Sequence, residues 1–165
     1  MKSIILVRHA KSSWAMPTLS DFERPLNKRG KRDASVMGKR LSVNKMVPDK
    51  IISSPATRAI STAKVLAKAL DIPRDRIKEE RIIYEASSMQ LLGFMRAWKE
   101  KWETVLMVGH MPGIGDLAQL LLENSIGPIP TCSVLEIDLK VDSWAEVSPG
   151  CGQLKSMLTP KDASK

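Results

Sequence analysis

Short apolar runs alternate with longer amphipathic stretches along this chain. Ile4-Ile5-Leu6-Val7 is uninterrupted and mostly β-branched, which predicts a buried strand over about residues 3–8. Lys50-Ile51-Ile52-Ser53, Ile82-Ile83-Tyr84 and Thr104 to Gly109 read the same way. Gly30 to about Asn44 carries Val36, Met37, Leu41 and Val43 at helical spacing. Ser54-Pro55 predicts the start of a second helix, with serine as cap and proline in the first position. Its buried face would be Ile60, Ala63, Val65, Leu66, Ala69 and Leu70. Ser87 or Ser88 caps a third helix running to about Lys101, and Pro112 opens a fourth ending near Asn124. Gly127, Pro128 and Pro130 break the chain. Cys132 to Lys140 alternates as a strand, with Trp144 to Ser148 as its expected hairpin partner. The segment after Pro160 is small and charged and is expected to fray. The pattern predicts one α/β domain over residues 1–160, a tail over 161–165, and a mostly parallel central sheet with helices on both faces.

At 165 residues the chain is long enough for one sizeable core. No apolar stretch approaches the ~20 residues that span a bilayer, and the run before Arg8 is too short for a signal-peptide core. The expectation is a cytoplasmic protein with no membrane partner. Cys132 and Cys151 lack metal-type spacing and read as free thiols. The net charge of +8 favours anionic partners. Arg24, Lys28, Arg29, Lys31 and Arg32 form the densest basic stretch, which is either a solvated helix start or an anion-binding surface. Aromatic residues make up only 4% of the chain, which disfavours a base-stacking platform and hence nucleic acid.

The two histidines, His9 and His110, each follow an apolar run. Four polar groupings fall at predicted strand ends: Arg8-His9, Ser53 to Arg58, Tyr84-Glu85 and Gly109-His110. In a parallel sheet such ends lie on one side, where ligands bind. Arg58 falls in the first turn of its helix, where free N–H groups also favour an anion. Two arginines, two histidines and a helix N-terminus describe a pocket for a phosphate dianion, since Arg grips phosphate oxygens in pairs. A neutral imidazole is a competent nucleophile toward phosphorus. Positioning and arginine charge serve phosphoryl transfer without a metal.

Leu6-Val7-Arg8-His9-Ala10 resembles the signature of the histidine phosphatase superfamily, whose usual form is Arg-His-Gly. Ser53-Ser54-Pro55-x-x-Arg58 and Val108-Gly109-His110 resemble its second and third motifs, in the same order. Asp21 to Gly30, His110-Met111-Pro112-Gly113 and Ser148-Pro149 are similar to the SixA-type phosphohistidine phosphatase branch. The resemblance implies a phosphoglycerate mutase-like fold and a phosphohistidine enzyme intermediate. It implies His9 as nucleophile and Arg8, Arg58 and His110 as phosphate-pocket residues. Glu85 would stand at the position of the general acid, and Arg24 is counted with the binding residues. Ala10 replaces the common glycine, and Met111 stands where a polar residue is common.

The expected function is a metal-independent, cofactor-free phosphatase acting on a phosphohistidine-bearing protein. The alternatives are a small-molecule phosphomonoesterase of the same superfamily and a basic nucleic-acid-binding module. A zinc site from His9, His110 and the cysteines has no supporting local spacing. A monomer is the favoured state.

Overall fold

The computed structural model describes residues 1–163. Its sheet has the strand order β3-β2-β4-β1-β5-β6. β1 (Lys2–Arg8), β2 (Lys50–Ser53), β3 (Ile77–Glu79) and β4 (Thr104–Gly109) run parallel to one another. β5 (Val134–Leu139) lies antiparallel between β1 and β6 (Gly152–Leu158). The mostly parallel α/β sheet expected from the pattern is therefore present. The central strands carry unbroken apolar runs, Ile4 to Val7 and Val105 to Val108, because both of their faces are covered.

Successive residues of β1 point into different layers. Ile5 and Val7 pack with Ala34, Met37 and Leu41 of α1 (Lys28–Val43) and with Ala59, Ala63 and Leu66 of α2 (Thr57–Ala69). Ile4 and Leu6 pack on the other face with Leu91, Leu92 and Met95 of α3 (Ser88–Arg96) and Leu117 and Leu121 of α4 (Gly113–Leu122). α1 is capped by Asn27, whose side-chain oxygen accepts the Gly30 N–H at 2.8 Å. Ser87 caps α3 and Gln90 completes a capping box.

Several boundaries differ from the pattern. Residues 81–83 form a 3-10 turn rather than a strand. Ile83 reaches the core while Ile82 stays 41% exposed, and the parallel edge strand is instead 77–79. α2 begins at Thr57, not at Ser54-Pro55: the Ser54 hydroxyl accepts the Ala56 N–H, and the chain turns once before the helix starts. Ile60, Val65 and Ala69 are only partly buried, while Arg58 and Thr62 are buried. Val43 of α1 is exposed. α3 ends at Arg96, so that Trp98 can turn into the core against Trp144. Residues 144–146 are a 3-10 turn that buries Trp144, whose Nε1–H donates to the Trp102 carbonyl. The hairpin partner of β5 is therefore β6, not 144–148. Pro160–Ala163 forms a short helical turn, α5. The remaining tail positions, 164 and 165, lie outside the described residues.

The segment between β1 and α1 is closed at its base. Ser12 and Leu26 form an antiparallel bridge, the Ser13 N–H donates to the Pro25 carbonyl, and the Asn27 N–H donates to the Lys11 carbonyl. Gly30 lies against that neck so closely that a Cβ would sit 2.0 Å from the Lys11 carbonyl oxygen. Only glycine allows this approach.

Candidate active site

The carboxyl ends of β1, β2 and β4 finish level with one another. One ladder bond continues past each neighbouring pair: the His9 N–H donates to Gly109, and the Ser54 N–H donates to Val108. Arg8-His9, Ser53-Ser54 and His110 therefore emerge side by side, as expected of parallel strand ends. The fourth expected grouping, Tyr84-Glu85, follows a 3-10 turn rather than a strand, and it arrives at the same cleft by that route. The cleft has a volume of about 640 Å³, and its walls include Asp21, Arg58, Tyr84, Glu85, His110 and Met111.

His9 is 8% exposed. Its Nδ1 lies 2.8 Å from the Ala10 carbonyl oxygen, which can only accept. The proton is thereby assigned to Nδ1, and Nε2 carries the lone pair. The Arg58 Nε–H points to that Nε2 at 3.3 Å. Burial, followed by the neighbouring guanidinium charges, pulls the His9 pKa down to about 4, against a partial rise from the Ala10 bond. The imidazole is therefore neutral at pH 7.

Arg58 comes from the first turn of α2 and is 5% exposed. Its Nη1 donates to the Asp21 carbonyl at 2.6 Å and its Nη2 to Asp21 Oδ2 at 3.0 Å. Thr62, one helical turn on, ties this helix to the loop that follows β1. Its hydroxyl accepts the Ala10 N–H at 3.0 Å and donates to the Arg58 carbonyl at 2.8 Å.

His110 stands with its ring centroid 5.1 Å from that of His9. Its Nε2 pairs with the Ser54 hydroxyl at 2.8 Å, and its Nδ1 is buried without a partner. Burial, then the charge on His9, lowers its pKa to about 3. Arg8 donates from Nη1 to the Ile129 carbonyl at 2.7 Å, while its Nε is buried without a partner. Such orphaned polar atoms are costly in an apolar interior, and two of them belong to Arg8 and His110.

Arg24 is buried beside the site, in the neck of the β1–α1 segment. It holds Ser12 Oγ at 2.7 Å and Asp21 Oδ1 at 3.1 Å, and the Trp14 ring lies 3.5 Å from its Cζ. The rest of the basic stretch, Lys28, Arg29, Lys31 and Arg32, is exposed on α1. Glu85 lines the cleft with a positive φ of 67°, and no hydrogen bond or ion pair ties it to His9 or to an arginine. Cys132 and Cys151 are free and belong to opposite core layers. Among the described residues, no group of three or more His, Cys, Asp or Glu side chains is placed to hold a metal, and no helix is long and apolar enough to cross a membrane.

Asp21 is the central residue that the pattern did not single out. Its carboxylate joins Arg24, Arg58 and the Tyr84 hydroxyl, which donates to Oδ2 at 2.6 Å. The Tyr84 bond, then the two arginine bonds, outweigh its partial burial and hold its pKa at about 2. The available signals were its place at the head of the Asp21 to Gly30 stretch that resembles the SixA-type branch and its spacing, three residues before an arginine in a loop that follows the Arg-His strand.

This constellation sets a neutral imidazole beside guanidinium charge, a chemistry suited to a phosphate ligand. Residues 4–82 match the model of the histidine phosphatase superfamily (branch 1). An uncharacterized protein of Mycobacterium tuberculosis is 30% identical over 165 residues, which covers 94% of this chain and all of that one. Phosphohistidine phosphatase SixA of Escherichia coli is 24% identical over 137 residues, covering 80% and 81% of the two chains. The crystal structure of the putative phosphohistidine phosphatase SixA from Agrobacterium tumefaciens superposes with a TM-score of 0.83 at 25% identity, covering 96% of this chain and 98% of that one. The chain belongs to the histidine phosphatase superfamily. It is a phosphatase with the phosphoglycerate mutase-like fold.

Proposed function

We propose that this phosphatase works through a covalent phosphohistidine at His9, without a metal, and that it acts on phosphohistidine carried by a protein. The observation that carries the reading is the His9 imidazole. It is neutral and fixed through Nδ1 on Ala10, and it presents Nε2 beside the Arg58 guanidinium.

The His9 Nε2 lone pair forms a bond to phosphorus while the bond from phosphorus to the leaving atom breaks, its electron pair going to the leaving group. Arg8, Arg58 and His110 surround the transferring oxygens, where positioned charge does most of the work of phosphoryl transfer. Water then attacks the phosphorus. The P–N bond breaks and its electrons return to Nε2. Because Nδ1 keeps its proton on Ala10, His9 departs as a neutral imidazole. The arginines supply the positive charge for both steps. Arg24 holds Asp21 and so supports the binding wall.

The protein substrate is favoured by the wide cleft and by the likeness to SixA proteins. A small phosphomonoester is the second reading. It is favoured by Glu85 at the cleft, where a carboxylic acid serves an alkoxide leaving group, and by 38% identity over 85 residues to phosphoserine phosphatase 1 of Hydrogenobacter thermophilus, half of this chain.

The test is turnover of a panel of phosphohistidine protein, phosphoserine, sugar phosphate and aryl phosphate, with and without EDTA. Wild type should prefer phosphohistidine, survive the chelator, and yield an acid-labile phosphate on His9 when quenched. His9→Ala should be inactive. Near-normal turnover by His9→Ala, or loss in EDTA restored by zinc or magnesium, sinks the reading.

A further inference from the structure

The two phenylalanines, four tryptophans and one tyrosine of this chain fall into two groups. Phe94, Trp98, Trp102 and Trp144 lie in or against the core layer shared with α3 and α4. Trp14, Phe22 and Tyr84 belong to neither core layer. They gather instead around Asp21, in the wall of the cleft. Tyr84 lines the cleft and bonds to Asp21. Phe22 meets the Tyr84 ring edge-on, with centroids 5.2 Å apart, and the Arg81 guanidinium lies 4.6 Å from the Phe22 ring. Trp14 is 74% exposed and rests on Arg24, which holds Asp21 at 3.1 Å. Met111, also exposed, lines the same cleft. One exposed apolar side chain needs no explanation. Rings resting on guanidinium groups beside a cleft do. Exposed apolar clusters mark binding surfaces, and Trp, Tyr and Arg carry much of the energy there. The cations hold the rings in place before a ligand arrives, which lowers the entropic cost of capture.

We propose that Trp14, Phe22 and Met111 form a docking shelf for apolar side chains that flank the phosphorylated residue of a polypeptide substrate. This deepens the proposed function and rests on it. Length decides the occupant. Arg58, Asp21 and Arg24 stand in series between the His9 Nε2 and the Trp14 ring. A single phosphorylated amino acid held at His9 ends short of that ring. A polypeptide gains about 3.3–3.6 Å per residue and reaches it within a few positions. Met111 adds an adaptable apolar contact nearer the site.

The experiment reads kcat/KM on three substrates with one leaving group. They are free phosphohistidine, a phosphohistidine peptide with leucines on either side, and the same peptide with serines in their place. Covering an aromatic side chain is worth roughly tenfold in affinity, so wild type should favour the leucine peptide over the serine peptide by about that factor. Trp14→Ala and Phe22→Ala should each remove part of the preference, and the double variant should abolish it. All three variants should turn over free phosphohistidine as wild type does, which shows an intact, folded pocket. Equal turnover of the two peptides by wild type overturns the inference and leaves the function standing. So does a leucine preference that survives in the double variant, or an equal loss on all three substrates, which would give the rings a purely structural role. Adenosine monophosphate, as a fourth substrate, should be turned over poorly; a high rate that is lost in Trp14→Ala would make the shelf a base platform and overturn the peptide reading. Wild type that hydrolyses phosphoserine but none of the phosphohistidine substrates overturns the proposed function, and this inference with it.

Discussion

Thr62→Val isolates the link between the nucleophile loop and the arginine helix. Valine has nearly the shape of threonine, so the packing around this fully buried position is kept. What is lost is one hydroxyl with two partners. The Arg58 carbonyl lies within a helix and retains its place in the ladder. The Ala10 N–H does not: it is buried and Thr62 Oγ1 is its acceptor. Leaving a buried donor unpaired costs about 1–3 kcal/mol. For a domain of this size each kcal/mol lowers Tm by roughly 2–4 °C, so a drop of about 2–12 °C is expected. The catalytic consequence follows from Ala10, whose carbonyl fixes His9. A displacement of the nucleophile by one ångström costs on the order of 10²-fold in rate, and a fraction of that shift should lower kcat by about tenfold. Thr62→Ser keeps the hydroxyl and should keep most of kcat while losing stability for its missing methyl. The assays are calorimetric Tm and steady-state kcat on an aryl phosphate. Thr62→Val with wild-type Tm and kcat would refute the reasoning.

Arg58→Ala should lower kcat by roughly 10²–10³, as for other lost transition-state donors, whereas Lys31→Ala and Arg32→Ala, exposed on α1, should change it less than about twofold; equal effects in steady-state assays would point to general electrostatics. Stability should fall with acid. The His9 and His110 pKa values sit near 4 and 3 when folded, below 6.5, so the unfolded chain binds more protons between those values. The histidine contribution is fully present above about pH 6.5 and should be lost at roughly 2–2.5 kcal/mol per pH unit between pH 6 and 4. Urea unfolding at several pH values measures it, and a profile flat over that window would contradict the buried neutral pair.

The strands that carry the site were legible because burial on both faces leaves an unbroken β-branched run, as in Ile4 to Val7. The Arg8, His9, Arg58 and His110 convergence followed from parallel strand ends. Ile82-Ile83 misled because two apolar residues also suit a 3-10 turn, with one side chain buried and the other exposed. Trp144 misled for a similar reason: its burial comes from a turn docking on Trp98 and Trp102, not from strand pairing. Thr62, and the bonding role of Asp21 beyond its place at the head of the SixA-like stretch, were illegible for a deeper reason. A threonine in a helix and an aspartate in a loop are ordinary by composition, and only the tertiary approach of Ala10, Arg58 and Tyr84 gives them their roles.

The Ser12–Leu26 bridge has a consequence for how this architecture can vary. The chain enters and leaves the intervening segment at neighbouring points, pinned by Gly30 against Lys11. Residues 15–18, exposed beyond the Trp14 ring that lies on Arg24, can be lengthened, shortened or replaced without changing the distance from His9 to α1. The tip of this segment can thus be redesigned at one address while the strand ends keep theirs, and a graft there would leave the position of His9 relative to α1 untouched.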